Sequence, residues 1–263
     1  MRNKKNARRA GRTMLLLLFL AAFSFGVFQL VSFVMADTRE ENALRGLAGL
    51  KSVPADLPAA AEAPTVRDEP RVILPQYAAL HDQNPDFFGW LYIEDTNIDY
   101  PVMFAPDRPD YYLHRDFECG DSGSGMLFID ERCPAEGNFY LIYGHHMASG
   151  NMFGRLPTYG SADYGATHAV IRFDTLYEQR EYVLFAAFYS QIYGEFEDGG
   201  FRYYDYTDLT EEEAFYDFVR QVKDAAIYDT GVDAVFGDEL LALSTCNYHT
   251  DDGRFVVVAK RVA

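Results

Sequence analysis

Leu240-Leu241-Ala242-Leu243-Ser244-Thr245-Cys246 and Arg254-Phe255-Val256-Val257-Val258-Ala259 are two apolar runs near the end of a 263-residue chain, separated by the polar stretch 247–253. Their apolar and β-branched content predicts two strands, and the Asn, Asp and Gly residues between them predict a turn. Such a hairpin would return Arg254 to the neighbourhood of Cys246. The spacing of Cys246 and Arg254 is by itself common, and a hairpin with a purely structural role explains it as well.

The same pair also fits a reactive site. A thiol becomes a nucleophilic thiolate beside a cation or a base, and an acyl intermediate needs hydrogen-bond donors for its oxyanion. Cys246 and Arg254 could fill these two needs, and a nearby histidine would add proton transfer. His145 follows a strand-like run and a glycine, so it is well placed to face a cleft at a strand end. His249, three residues after Cys246, is the alternative base, unless it is only a solvated loop residue.

Zinc binding is another chemistry that these residues could support, because Cys246, His145 and His146 all carry zinc-binding atoms. Adjacent side chains on a strand point to opposite faces, however, so His145 and His146 could not readily share one ion. The sequence therefore predicts that no metal is bound there.

Further strand-like runs precede the hairpin at short intervals, rich in β-branched and aromatic residues and separated by Gly, Asp and Pro. They span residues 89–93, 98–103, 125–129, 138–143, 168–173 and 181–192. A helical pattern over about 210–229 interrupts them, with Thr210 and Glu213 in the spacing of a capping box. A short helix around 76–83 comes before the first run. About eight strands with one inserted helix predict a mostly β fold, closed or nearly closed into a barrel.

The N-terminal part has a different composition. Residues 14–36 contain no charge, and at 1.5 Å per residue they would form a helix of about 34 Å, enough to cross a hydrocarbon layer of roughly 30 Å. Six basic residues precede this segment, which predicts a cytoplasmic tail at 1–13, a transmembrane anchor at 14–36 and type II topology. A cleaved signal peptide, with a cleavage-like stretch at 32–37, is the alternative. An Ala- and Pro-rich linker at 37–74 would then lead to a catalytic domain at 75–263.

Charge and cysteine content narrow the functional classes. The net charge is −17, with the acidic excess lying after the apolar segment, so a nucleic-acid partner is disfavoured by phosphate repulsion. Three cysteines in an extracellular domain leave at least one without an intramolecular partner. Cys119 and Cys133 flank a Gly- and Ser-rich turn and could form a local bridge, or be two unrelated thiols. In either case Cys246 is the cysteine left over.

Several motifs together resemble one known family. Leu243-Ser244-Thr245-Cys246, with Arg254 eight positions on, resembles the Thr-Leu-x-Thr-Cys…Arg signature of sortases. Tyr143-Gly144-His145-His146-Met147, followed by Asn151-Met152-Phe153-Gly154-x-Leu156, is similar to the Tyr-Gly-His-Asn-Met…Met-Phe-x-x-Leu segment of class B sortases. Shorter matches are Gly89-Trp90-Leu91-x-Ile93, Ile98-Asp99-Tyr100-Pro101-Val102, Tyr111-Tyr112-Leu113 and Phe128-Ile129-Asp130. They fall in order over residues 75–262.

This resemblance implies an eight-stranded sortase barrel, with the helix at about 210–229 as the class B insertion, and a specific reaction. Cys246 would attack the carbonyl of Thr in the C-terminal sorting motif of a secreted protein, and an amine of peptidoglycan or of another protein would resolve the thioester. His145 would transfer protons, and Arg254 would hold the substrate and the oxyanion. Ser244 and Thr245 would be substrate contacts, and no cofactor or catalytic metal is implied.

One departure and two alternatives remain. His146 stands where the class usually has Asn, so it is a further candidate substrate contact and could change local ligand contacts or pKa values. A secreted cysteine protease would form the same thioester but resolve it with water. A membrane-tethered barrel that binds peptides without cutting them is a non-catalytic alternative, although such a module does not need Cys246, His145 and Arg254 together.

Overall fold

Eight strands form a closed barrel in the computed structural model, which describes residues 2–51, 71–194 and 199–263. Around the barrel they follow the order β1-β2-β3-β4-β7-β8-β6-β5. β2 pairs with β3 and β4 pairs with β7 in parallel, and the other neighbours are antiparallel. The strands are β1 Phe87–Tyr92, β2 Asp99–Met103, β3 Leu127–Ile129, β4 Phe139–Tyr143, β5 Val170–Thr175, β6 Glu181–Gln191, β7 Leu240–Cys246 and β8 Gly253–Arg261. The predicted mostly β, eight-stranded barrel is therefore confirmed.

The apolar composition of β7 and β8 explains why both strands are buried. Leu240 to Leu243 and Phe255 to Ala259 are completely buried, as expected for strands that are covered on both faces. The aromatic ring of Phe139 on β4 packs edge-on against Phe218 of the inserted helix, 5.1 Å between ring centroids. This helix thus packs against β4.

Four α-helices accompany the barrel in the described part of the chain: α1 Arg2–Leu50, α2 Pro75–Gln83, α3 Ala162–Thr167 and α4 Glu212–Ala225. α4 is the predicted inserted helix, but it is shorter than 210–229 at both ends. The capping box was a wrong prediction: the N-cap is Glu211, without a side-chain bond, because the Thr210 amide donates instead to the carboxylate of Asp208. At the other end, the Ile227 amide donates to Ala187 of β6, which draws the chain out of the helix.

α1 contains the segment predicted as a membrane anchor. The chain divides into two compact units, Met1–Ala43 and Leu44–Ala263. In the first unit, large apolar side chains such as Leu17, Phe23 and Phe28 are exposed. A search of the described residues finds no helix with the length and apolarity needed to cross a bilayer. Several side chains of the predicted anchor at 14–36 lie outside the description, as do residues 52–70 of the predicted linker, so both stay predictions.

The three cysteines are all free. Cys119 is exposed and Cys133 is buried, so the local bridge between them, one of the two alternatives drawn from the sequence, is not formed.

Candidate active site

Cys246 and Arg254 are direct partners in the ladder between β7 and β8. Just beyond them, the Asn247 amide donates to the Gly253 carbonyl over 2.8 Å, which makes Cys246 and Arg254 a pair that does not exchange backbone hydrogen bonds. In such pairs the two Cα atoms are only about 4.5 Å apart and the side chains project on the same face. The hairpin thus places the side chains of Cys246 and Arg254 next to each other on one face of the sheet.

The turn that joins the two strands is tightly closed. A Cβ atom at Gly253 would overlap the carbonyl oxygen of Asn247, so this position accepts only glycine without rearrangement. Asp252 has a positive φ of 50°, a left-handed conformation that Asp tolerates better than most residues. The Arg254 guanidinium donates through Nη1 to the carbonyls of Asp252 and Gly253, at 3.2 and 3.0 Å. These bonds hold its charge at the mouth of the hairpin.

β4 brings the histidines to the same end of the barrel. Its last pair with β7 is Tyr143 with Ser244, and the Gly144 amide then donates to the Ser244 carbonyl over 3.1 Å. Gly144 is packed closely: an added Cβ would lie 2.6 Å from Cδ2 of Phe153 and would overlap Leu127. The chain can therefore leave the sheet only with a glycine at this point, and His145 follows directly.

His145 is oriented by a backbone carbonyl. Its Nε2 lies 2.8 Å from the carbonyl oxygen of Leu113. A carbonyl oxygen only accepts, so Nε2 carries a hydrogen and donates it, which leaves Nδ1 as the nitrogen that can exchange a proton. The ring also stacks on His114, with 5.5 Å between centroids, and the Phe153 amide donates to the His145 carbonyl. Leu113 and His114 were not singled out as partners from the sequence, because they lie in a distant segment whose fold no local pattern reveals.

His146 points to a different partner. Its Nδ1 donates to the carbonyl oxygen of Cys246 over 2.7 Å, and its ring lies 5.6 Å from that of the exposed Tyr248. His145 and His146 therefore diverge, as expected for successive residues of an extended chain. Within the described ranges, no group of three or more His, Cys, Asp or Glu residues is arranged to hold a metal ion.

A cleft of about 460 Å³ joins these residues. Cys246, His145 and Arg254 all line it, together with Asp110, Leu113, Phe128, Asp130, Glu131, Arg132, Tyr143, Gly144, Ile192, Ser244 and Thr245. One wall is an ordered polar cluster in which the Arg132 guanidinium binds both carboxylate oxygens of Asp130, at 2.9 and 2.7 Å. The Tyr143 hydroxyl donates to the same carboxylate. The pKa of Tyr143 is raised, chiefly by burial and secondly by the negative charge of Asp130.

Sequence reasoning used Asp130 only as part of a matching motif and did not single out Arg132. The signal available was an acid directly after a short apolar strand, followed two residues later by Arg. That pattern is common, and only the fold shows that both residues line the cleft.

Ser244 and Thr245 border the cleft but are almost fully buried, at 1% and 2% exposure. The Thr245 hydroxyl donates to the Gly144 carbonyl over 2.7 Å, and the Ser244 hydroxyl lies 2.7 Å from the hydroxyl of Tyr203. Burial raises the pKa of Tyr203 to about 12, so that hydroxyl stays protonated. These two predicted substrate contacts thus have internal partners, and contact of Ser244, Thr245 and His146 with substrate stays a prediction.

His249, the alternative base, is not among the residues that line the cleft. Its Nδ1 lies 3.0 Å from the side-chain oxygen of Asn247, and its ring lies 4.9 Å from that of Tyr189. The other two cysteines are also outside the cleft. Burial raises the pKa of Cys133 to about 12, so this thiol is protonated at neutral pH.

Comparisons with known proteins show which family the chain belongs to. The Sortase domain family model matches residues 91–262. The chain is 33% identical over 201 residues to Sortase B of Listeria monocytogenes, covering 75% of each protein. It is 29% identical over 192 residues to Sortase B of Staphylococcus aureus, covering 72% of this chain and 75% of the relative.

Solved structures give the same result. Sortase B from Bacillus anthracis superposes with a TM-score of 0.71 at 26% identity, over 87% of this chain and 99% of that one. A sortase B–substrate complex from Staphylococcus aureus superposes with a TM-score of 0.64 at 27% identity, over 72% of this chain and 86% of the other.

Proposed function

The chain belongs to the sortase family and is a class B sortase, a cysteine transpeptidase; we propose that it cleaves a C-terminal sorting motif after Thr. The proposed substrate is a secreted protein that bears this motif. The new carboxyl group passes to an amine of cell-wall peptidoglycan or of another protein.

The observation that carries this proposal is the convergence of three side chains on one cleft. Cys246 and Arg254 are adjacent on the hairpin, and His145 enters from the end of β4. A nucleophile, a proton-transfer group and a cation with several donors are the groups that acyl transfer through a thioester needs.

In the first half-reaction, the Cys246 thiol gives its proton to Nδ1 of His145, and the resulting thiolate attacks the carbonyl carbon of the substrate Thr, whose oxygen takes up the negative charge. Arg254 donates hydrogen bonds to this oxyanion. The carbon–nitrogen bond then breaks, and the leaving amine takes a proton from Nδ1 of His145, since Nε2 keeps its hydrogen on the Leu113 carbonyl. The acyl group remains on sulfur as a thioester.

In the second half-reaction, the acceptor amine attacks the thioester carbon and gives a proton to Nδ1 of His145. The carbon–sulfur bond breaks, an amide forms and the Cys246 thiol is regenerated with the proton from His145. His145 ends in the protonation state in which it began, so the cycle is balanced. If water replaced the amine, the same intermediate would give hydrolysis, which is the protease alternative.

The anchor and topology are part of the proposal. The uncharged segment 14–36 with basic residues on its N-terminal side supports a type II arrangement, with the catalytic domain outside the cell. Treatment of intact cells with protease should then remove the domain. Protection of residues beyond position 36 would contradict this topology.

The experiment that tests the reaction presents the purified full-length chain with a library of sorting peptides, with and without an amine acceptor. We expect release of the fragment after Thr and, with the acceptor present, a ligated product identified by mass spectrometry. Release without ligation at any acceptor concentration would favour the protease. Binding without any cleavage would favour the non-catalytic barrel.

A further inference from the structure

The end of the parallel ladder between β4 and β7 has an unusual arrangement next to the nucleophile. Tyr143 pairs with Ser244, and the Ser244 carbonyl accepts the Gly144 amide. Carbonyls of alternate residues in a strand point the same way, so the Cys246 carbonyl also faces the β4 side. If the ladder continued, this carbonyl would accept the backbone amide of residue 146.

At this position, side-chain donors replace the backbone amides that a continued ladder would use. The Cys246 carbonyl accepts Nδ1–H of the His146 ring over 2.7 Å, and the Gly144 carbonyl accepts the Thr245 hydroxyl over 2.7 Å. Both backbone oxygens that the next ladder step would use are therefore bonded to side-chain donors. These two side-chain bonds continue the link between β4 and β7 beyond the last residue of β4.

We infer that His146 is a positioning residue, whose Nδ1–H fixes the carbonyl of Cys246 and thereby the direction in which the thiol projects. Cys246 is the last residue of β7, and the chain turns directly after it. On the β8 side, the pair with Arg254 does not exchange backbone hydrogen bonds. The His146 bond is thus the contact that ties this peptide group to the β4 side of the site.

The bond to the Cys246 carbonyl requires a hydrogen on Nδ1 of His146. A carbonyl oxygen only accepts, so Nδ1 must carry a hydrogen, as it does in one neutral tautomer and in the imidazolium. The Nδ1 atom is two bonds from Cβ, the same reach as the amide nitrogen of Asn. Asn is thus a donor of matched reach, and Leu is its closest donor-free counterpart.

The inference rests on Cys246 being the nucleophile, as proposed above, so the test uses readouts that need no sorting peptide. Full-length protein would be prepared as wild type, His146→Asn and His146→Leu, with cysteine labelled by ¹³C at its carbonyl. The first readout is the ¹³C chemical shift of the Cys246 carbonyl, which reports its hydrogen bond. The second is the rate at which iodoacetamide alkylates Cys246, followed by peptide mapping.

We expect His146→Asn to keep the carbonyl shift and the alkylation rate within about twofold of wild type. His146→Leu should move the carbonyl resonance and slow alkylation about tenfold, because a displaced thiol lies farther from the charge that favours its thiolate. His146→Ala, which adds no bulk, is measured in parallel in case the Leu variant does not fold. Wild-type values in the donor-free variants would overturn the inference, and so would equal losses in Asn and Leu.

Discussion

Two segments bring the proposed catalytic residues together, and they are held in different ways. Cys246 and Arg254 share one antiparallel hairpin, so a single register fixes both. His145 lies past the end of β4, and its place depends on the Leu113 carbonyl and on the close packing of Gly144. The hairpin can therefore lose a side-chain function without losing its geometry. In the histidine segment, Gly144 and His145 at the end of β4, the position of the proposed catalytic side chain depends on local packing.

The largest effect should come from the histidine segment. His145→Asn removes the proton-transfer group but keeps a polar side chain of similar reach, so kcat/KM for a sorting peptide should fall about a hundredfold to ten-thousandfold. His249→Asn is the matched control, since His249 is close to Cys246 in sequence but does not line the cleft. Loss of activity in the control, with activity kept in His145→Asn, would reverse the two assignments.

Arg254→Lys tests the hairpin half of the comparison. Guanidinium offers five donors in a planar fork, and an ammonium offers a compact charge, so the variant keeps the charge but loses the geometry. We expect kcat/KM to fall about a hundredfold to a thousandfold, equivalent to roughly 2.7–4 kcal/mol. The thermal melt should be unchanged, because the strand register does not depend on this side chain. Retention of more than about a third of the activity would remove Arg254 from the role of oxyanion donor.

Gly144→Ala tests whether packing places His145. The new methyl group would press on Leu127 and Phe153, and overpacking of this kind costs about 1–3 kcal/mol of folding free energy. Activity should fall together with stability. Gly160→Ala is the control, because there the nearest atom, the Tyr189 hydroxyl, is 3.4 Å from the added Cβ. Equal melting temperatures for Gly144→Ala and wild type would show that the structure accommodates a methyl group at position 144 without strain.

Much of the barrel could be predicted from sequence because its strands carry local signals. Each of the eight predicted runs overlaps an observed strand, and the errors are at the ends. β3, for example, begins at Leu127 instead of 125, because the Met126 amide donates to Tyr112 outside the ladder. The start of α4 was misplaced because the Asp208 carboxylate competes for the Thr210 amide.

The site was less predictable from residue patterns alone. The pairing of Cys246 with Arg254 follows from a local hairpin, so spacing suggests it. The approach of His145 depends on the parallel pairing of β4 with β7, which joins distant parts of the chain. The bond from His146 to the Cys246 carbonyl depends on where β4 ends, a detail that no sequence period encodes.

The most direct test of the account is to locate the acyl group that forms during turnover. The full-length chain would be quenched after mixing with a cleavable sorting peptide, then digested and mapped by mass spectrometry. We expect the acyl mass on the peptide that contains Cys246 and on no other cysteine. Cys133 should stay unmodified because burial raises its pKa to about 12, and Cys119 because it lies outside the cleft. An adduct on Cys119 or Cys133, or unchanged cleavage by Cys246→Ala, would contradict it.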